Sequence, residues 1–66
     1  MNNNEIIKDI RIKTGLSQSA FANKFHININ TLQTWEQNIR NIPESTLFMI
    51  KYILELEEKI ERRNNE

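Results

Sequence analysis

The chain has no cysteine, and only one histidine, one glycine, one proline and one tryptophan in 66 residues. Without cysteine there is no disulfide framework and no thiolate zinc site of the finger type. A lone histidine, His26, does not build a metal site by itself, so no metal or cofactor is expected. No apolar run approaches the roughly 18 residues of a membrane-spanning helix. The opening Met1 to Glu5 carries neither a basic nor an apolar segment. No signal peptide is therefore expected, and a cytoplasmic location is the default expectation. With so few backbone breakers the chain should be mostly helical.

Sixty-six residues suffice for one small domain with modest burial. Folds of this size lean on disulfides, a metal, tight packing or a partner. With the first two excluded, helix packing and oligomerisation remain. Charge is balanced overall, with nine cations and nine carboxylates, but its distribution is not even. Residues 1–43 hold five cations against three carboxylates, and residues 44–66 hold four against six. That offset permits a nucleic-acid face on the first part without demonstrating one.

Hydrophobic periodicity divides the chain into four helices. Asn2 to Asn4 reads as a frayed lead-in. Ile6, Ile7 and Ile10 then mark a first helix over residues 5–13, which Gly15 stops. Ser17 is an N-cap candidate for a second helix over 18–25, and Asn28 for a third over 29–37. The short break between them suggests a helix-turn-helix. After a loop, Pro43 precedes one long helix over about 44–62, with the last residues fraying. A single domain spanning 1–66 follows, with no linker and no repeat.

Residues 11–43 resemble the Cro/C1-type (XRE family) helix-turn-helix. The blocks Thr14-Gly15-Leu16-Ser17-Gln18, Phe21-Ala22 and Thr31-Leu32-Gln33-Thr34-Trp35-Glu36-Gln37 carry the resemblance. It implies an all-α, lambda-repressor-like domain of four helices, or five, ending in a long helix. The single helix after the proline is similar to the short HigA-type antitoxin and regulator branch. Phe21, Phe25, Ile27, Leu32 and Trp35 are expected in the core, with Ala22 where two helices approach closely. The resemblance implies a structural ion pair between Arg11 and Glu36. It also implies a left-handed turn at His26, where the family usually has glycine. Histidine is among the residues that tolerate φ > 0.

The same resemblance places Ile29, Asn30, Gln33 and Thr34 on the outward, base-contacting face of the recognition helix. Asparagine and glutamine carry a donor beside an acceptor, which suits adenine N6 and N7, and an apolar side chain suits a thymine methyl. An operator containing A·T pairs is the expectation. Ser17, Gln18, Asn28, Gln37, Asn38 and Arg40 are the expected contacts to the DNA backbone, with Lys13 and Lys24 adding long-range attraction. So few cations imply weak binding by one subunit and a shallow salt dependence.

Met49, Ile53, Leu56 and Ile60, spaced 4-3-4, form the candidate dimer seam. A homodimer reading an inverted repeat of double-stranded DNA is the resulting expectation, acting as a repressor. Ile39 and Ile42 in the loop are apolar without an assigned partner. No membrane partner is expected. An enzyme is not expected either, since the chain has no paired histidine and nucleophile and no phosphate loop. The competing expectation is a protein-interaction module on the same fold, or an antitoxin that binds both operator and toxin.

Overall fold

The computed structural model describes residues 2–65; the side chains of residues 64 and 65 are outside the description. Four α-helices follow one another: α1 Asn3–Thr14, α2 Gln18–Lys24, α3 Ile29–Glu36 and α4 Glu44–Asn65. No strand occurs among the described residues. The all-α architecture with a long last helix is as the sequence implies, with four helices rather than five.

Local chemistry sets most of the boundaries. Ser17 accepts the Ala20 N–H at 3.1 Å and Asn28 accepts the Asn30 N–H at 2.8 Å, so both act as N-caps. Gly15 closes α1 at φ 77°, a left-handed position that glycine takes without steric cost. His26 takes φ 56° in the turn between α2 and α3, so the turn survives without glycine. The Pro43 carbonyl accepts the Leu47 N–H at 3.1 Å, which leaves proline just outside α4, where its missing donor is not needed.

The frayed lead-in is corrected. Asn2 is the N-cap of α1, accepting the Glu5 N–H at 2.8 Å, and the helix begins at Asn3. Asn4 is the one buried polar residue in the described chain, 3% exposed. Its amide nitrogen donates to Asn38 Oδ1 at 2.8 Å and to the Arg40 carbonyl at 2.9 Å. Its carbonyl accepts the Ile42 N–H at 2.9 Å. This asparagine is therefore the bracket that holds the loop between α3 and α4. Of the lead-in, Met1 lies outside the described residues. The last helix runs three residues past its expected end, to Asn65; Glu66, within the expected fraying, lies outside the described residues.

The core joins Ile7 of α1, Phe21 and Ala22 of α2, Leu32 and Trp35 of α3, Ile42 of the loop, and Leu47 and Ile50 of α4. Phe25 and Ile27 pack at its margin rather than inside it. Phe21 and Phe25 stack with ring centroids 4.7 Å apart. Of the two loop isoleucines, Ile42 is core and Ile39 is 65% exposed. Along α4, Leu47, Ile50 and Leu54 face this core. Beyond Leu54 the helix continues for another eleven residues and lengthens the molecule to 43 Å, against 22 and 17 Å in the other directions.

Candidate nucleic-acid interface

Helix α3 owes its position to a buried charge pair at its C-terminal end. Arg11 on α1 grips Glu36 in a two-pronged contact, Nε to Oε2 at 2.7 Å and Nη2 to Oε1 at 2.8 Å. Arg11 Nη1 also donates to the Leu16 carbonyl at 3.1 Å, which holds the guanidinium plane. The Glu36 side chain is only 3% exposed and that of Arg11 16%. Burial pushes the Glu36 carboxyl up, but hydrogen bonds from Arg11 and Gln18, with the nearby positive charge, outweigh it. The net position is below the ordinary carboxylate range. The Glu36 hydrogen bond raises the Arg11 guanidinium against the cost of burial. The expected structural ion pair is present, and every buried side-chain nitrogen and oxygen among the described residues has a partner.

The outward residues of α3 divide into two groups. Ile29 and Asn30, at its start, are exposed, Ile29 by 38%. Gln33 and Thr34, one turn later, are half-buried. Thr34 Oγ1 donates to the Thr31 carbonyl at 2.6 Å, within the helix. Gln33 Nε2 donates to Gln18 Oε1 at 3.4 Å, and Gln18 Nε2 donates to Glu36 Oε1 at 3.2 Å. Of the residues assigned to the DNA backbone, Ser17, Asn28, Gln37 and Arg40 are exposed. Ser17 and Asn28 are occupied as caps through their side chains. Gln18 is half-buried in the Glu36 network. Asn38 sits at φ 63°, a second left-handed position, with its side-chain oxygen taken by Asn4.

Two features escaped the sequence reading. Asn4 holds both the Asn38 side chain and the Arg40 backbone, so α1 shapes the segment that follows the recognition helix. Its spacing of three before Ile7 and seven before Arg11 puts it on the inward face of α1, the one sequence signal that pointed to it. Lys24 is not a free cation: its Nζ lies 3.0 Å from Glu57 Oε2 and 5.9 Å from the Phe25 ring centroid. Lys8 on α1 is close enough to lower the Glu36 carboxyl, and Arg40 is exposed in the segment that follows α3.

No three histidine, aspartate or glutamate side chains among the described residues are grouped to hold a metal ion, and no described helix is long and apolar enough to cross a membrane. A cavity of roughly 580 Å³ lies between the end of α1 and α4, floored by Ile10, Leu16 and Leu54 and rimmed by Lys13, Lys24 and Glu57. No described residue of α3 lines it.

Comparison with known proteins bears on what this arrangement is. Neither the curated proteins nor the solved structures return a match. A family model described as Helix-turn-helix matches residues 7–50, two thirds of the chain, from the buried Ile7 of α1 to the buried Ile50 of α4. The matched span thus contains the capped α2–α3 pair, the left-handed turn and the Arg11–Glu36 bridge. The chain belongs to the Cro/C1-type helix-turn-helix (XRE) family, a DNA-binding family of transcription regulators.

Proposed function

We propose that the protein is a dimeric repressor, working in the cytoplasm, that reads the major groove of an operator with residues 29–37. The observation that carries this reading is the outward face of α3. It offers an exposed apolar group, Ile29, beside an exposed amide, Asn30, with the Gln33 amide one turn further along. Amides match adenine edges and Ile29 matches a thymine methyl, so the site contains A·T pairs. Ser17, Gln37, Asn38 and Arg40 border that face and hold the DNA backbone, with the N-terminal N–H groups of α2 and α3 near Gln18 and Asn28.

Dimerisation through α4 supplies the second half-site. Met49 is 65% exposed, Leu56 41% and Ile60 56%, and Ile53 sits with them on one stripe. A monomer gains nothing from holding such a stripe in water, whereas a second copy buries it. In a two-fold dimer the same stripe on each copy faces its counterpart, and a 4-3-4 apolar spacing suits such a helix-to-helix seam. A two-fold protein reads an inverted repeat.

The test is selection of bound duplexes from a random library at about 100 mM salt, a range where phosphate contacts still hold. An enriched inverted repeat supports the dimeric reader. A single enriched half-site keeps DNA reading and removes the dimer. Paired Asn30→Ala and Gln33→Ala substitutions are expected to abolish the enrichment; undiminished specific binding by that variant sinks the assignment of the reading face.

A second reading, an antitoxin that also binds a toxin, draws on Phe48 and Tyr52. They are 62% and 63% exposed and lie off the heptad stripe. A self-paired α4 leaves them open to a different protein. A specific neighbour protein that co-purifies and is lost on Phe48→Ser supports that reading.

A further inference from the structure

Arginine offers only donors and a carboxylate only acceptors, while an amide has one end of each kind. These rules impose a direction on the half-buried chain of side chains behind α3. Glu36 Oε2 is taken by Arg11, and Oε1 accepts from both Arg11 and Gln18. Gln18 must therefore turn its NH2 towards Glu36, which leaves its carbonyl oxygen to face the other way. Gln33 meets that oxygen with its own NH2, at 3.4 Å. The Gln33 carbonyl oxygen takes no hydrogen bond from the described residues and is left for an external donor.

We infer that the Arg11–Glu36 pair acts through Gln18 to set which end of the Gln33 amide is presented to DNA, so that Gln33 favours a base carrying an amino group. The inference rests on the proposed base-reading role of Gln33. In the major groove the amino-bearing bases are adenine, through N6, and cytosine, through N4. The second N–H of Gln33 remains for adenine N7, so adenine is the better match. Arg11, Glu36 and Gln18 then serve as positioning residues for specificity as well as for the fold.

Glu36→Gln tests the direction of the chain. Arg11 donates to both oxygens of Glu36, so an amide there sets its NH2 against one Arg11 donor; with that NH2 at the Oε1 position it faces Gln18, and Gln18 and Gln33 each turn over. Duplex selection with this variant is expected to shift preference at one base-pair position per half-site, from adenine towards a base offering acceptors, guanine or thymine. The shift should be roughly fivefold or more, the scale of a good base contact. Preferences at the other positions should persist. Gln18→Met, which keeps the Arg11–Glu36 pair, is expected to flatten preference at that same position. Any phosphate contact it loses lowers affinity evenly across sequences.

A uniform loss of affinity in both variants, with the base profile unchanged, overturns the inference. Gln33→Ala separates this from failure of the underlying reading. If Gln33→Ala leaves every position unchanged, Gln33 reads no base and both fall. If it alters one position while the two relay variants do not, Gln33 reads DNA and only the relay falls. Should Glu36→Gln lose its helical melting transition, Gln18→Met decides alone.

Discussion

The two ends of the molecule solve opposite problems. From Asn2 to Leu54 the chain closes on itself: one core joins all four helices, α1, α2 and α3 are capped, and every described buried polar atom is partnered. Beyond Leu54, α4 leaves the core and carries Leu56 and Ile60 into water. The first region shows what holds a short chain that has no cysteine for a disulfide. It uses two long-range polar brackets, Arg11–Glu36 and Asn4 with the α3–α4 loop, in addition to apolar burial. In the dimer proposed above, the exposed stripe of α4 is half a seam, and half a seam stabilises nothing alone.

The sharpest way to break this contrast is to cut a bracket. Glu36→Ala leaves the Arg11 guanidinium buried without its counter-charge and is expected to cost about 3–5 kcal/mol. A domain of this size holds roughly 0.05–0.15 kcal/mol per residue, so the loss takes about a third or more of the total and should lower the urea midpoint steeply. The same pair has a pH signature. The Glu36 carboxyl lies lower in the folded state than in the unfolded chain. Its contribution is therefore complete above the ordinary carboxylate value and lost as pH falls through the folded value. Urea midpoints should hold from neutral pH down to about 5 and drop below about 4. A flat profile there would show that the pair contributes little.

On the other side of the contrast, Leu56→Glu should leave the fold intact and weaken self-association. The change acts twice in a symmetric dimer, and at about 1.5 kcal/mol or more per buried side chain the loss should be at least a hundredfold. Sedimentation equilibrium measures it, and an unaltered association constant would move the seam elsewhere. Asn4→Ala removes three hydrogen bonds and leaves the Ile42 N–H buried. A cost of about 2 kcal/mol is expected in urea unfolding, at the upper end for one unsatisfied group. Smallest is Ile39→Ser, an exposed position at which less than about 0.5 kcal/mol should change. A larger effect would mean that the loop isoleucine belongs to an interface.

Much of the first region was legible in the sequence because its determinants are local. Ser17 and Asn28 announce helix starts by type, and Gly15 announces a stop. Apolar spacing places Phe21, Leu32 and Trp35 inward, and the block around Thr31 to Gln37 points to the family. Even the left-handed turn could be read at His26 through the resemblance. What stayed hidden depends on contacts far apart in the chain. Three consecutive asparagines look like solvated coil, yet Asn4 is buried because Asn38, Arg40 and Ile42 come to it from 34 to 38 residues away. Gln18 and Gln33 were both assigned to DNA by their places in the helix-turn-helix, and nothing in the sequence reveals that they touch each other. Lys24 looked like free positive charge until the fold brought Glu57 beside it. The outward face of α3 was legible as a set of residues, but not its division into an exposed pair and a half-buried pair.

The left-handed corners at His26 and Asn38 carry a last consequence. Helix α3 has only eight residues, too few to persist by itself in water. Its two ends are nevertheless pinned, one by the turn at His26 and the Asn28 cap, the other by Asn38 with the Asn4 bracket. Each left-handed L-residue costs about 1 kcal/mol in the free protein. In return the helix meets its target already ordered. Freezing a residue's backbone costs on the order of 1–2 kcal/mol, and a disordered α3 would incur that several times over at the moment of binding. Here the ordering is complete before any encounter, so the few contacts of so small a face go into affinity and not into building the helix.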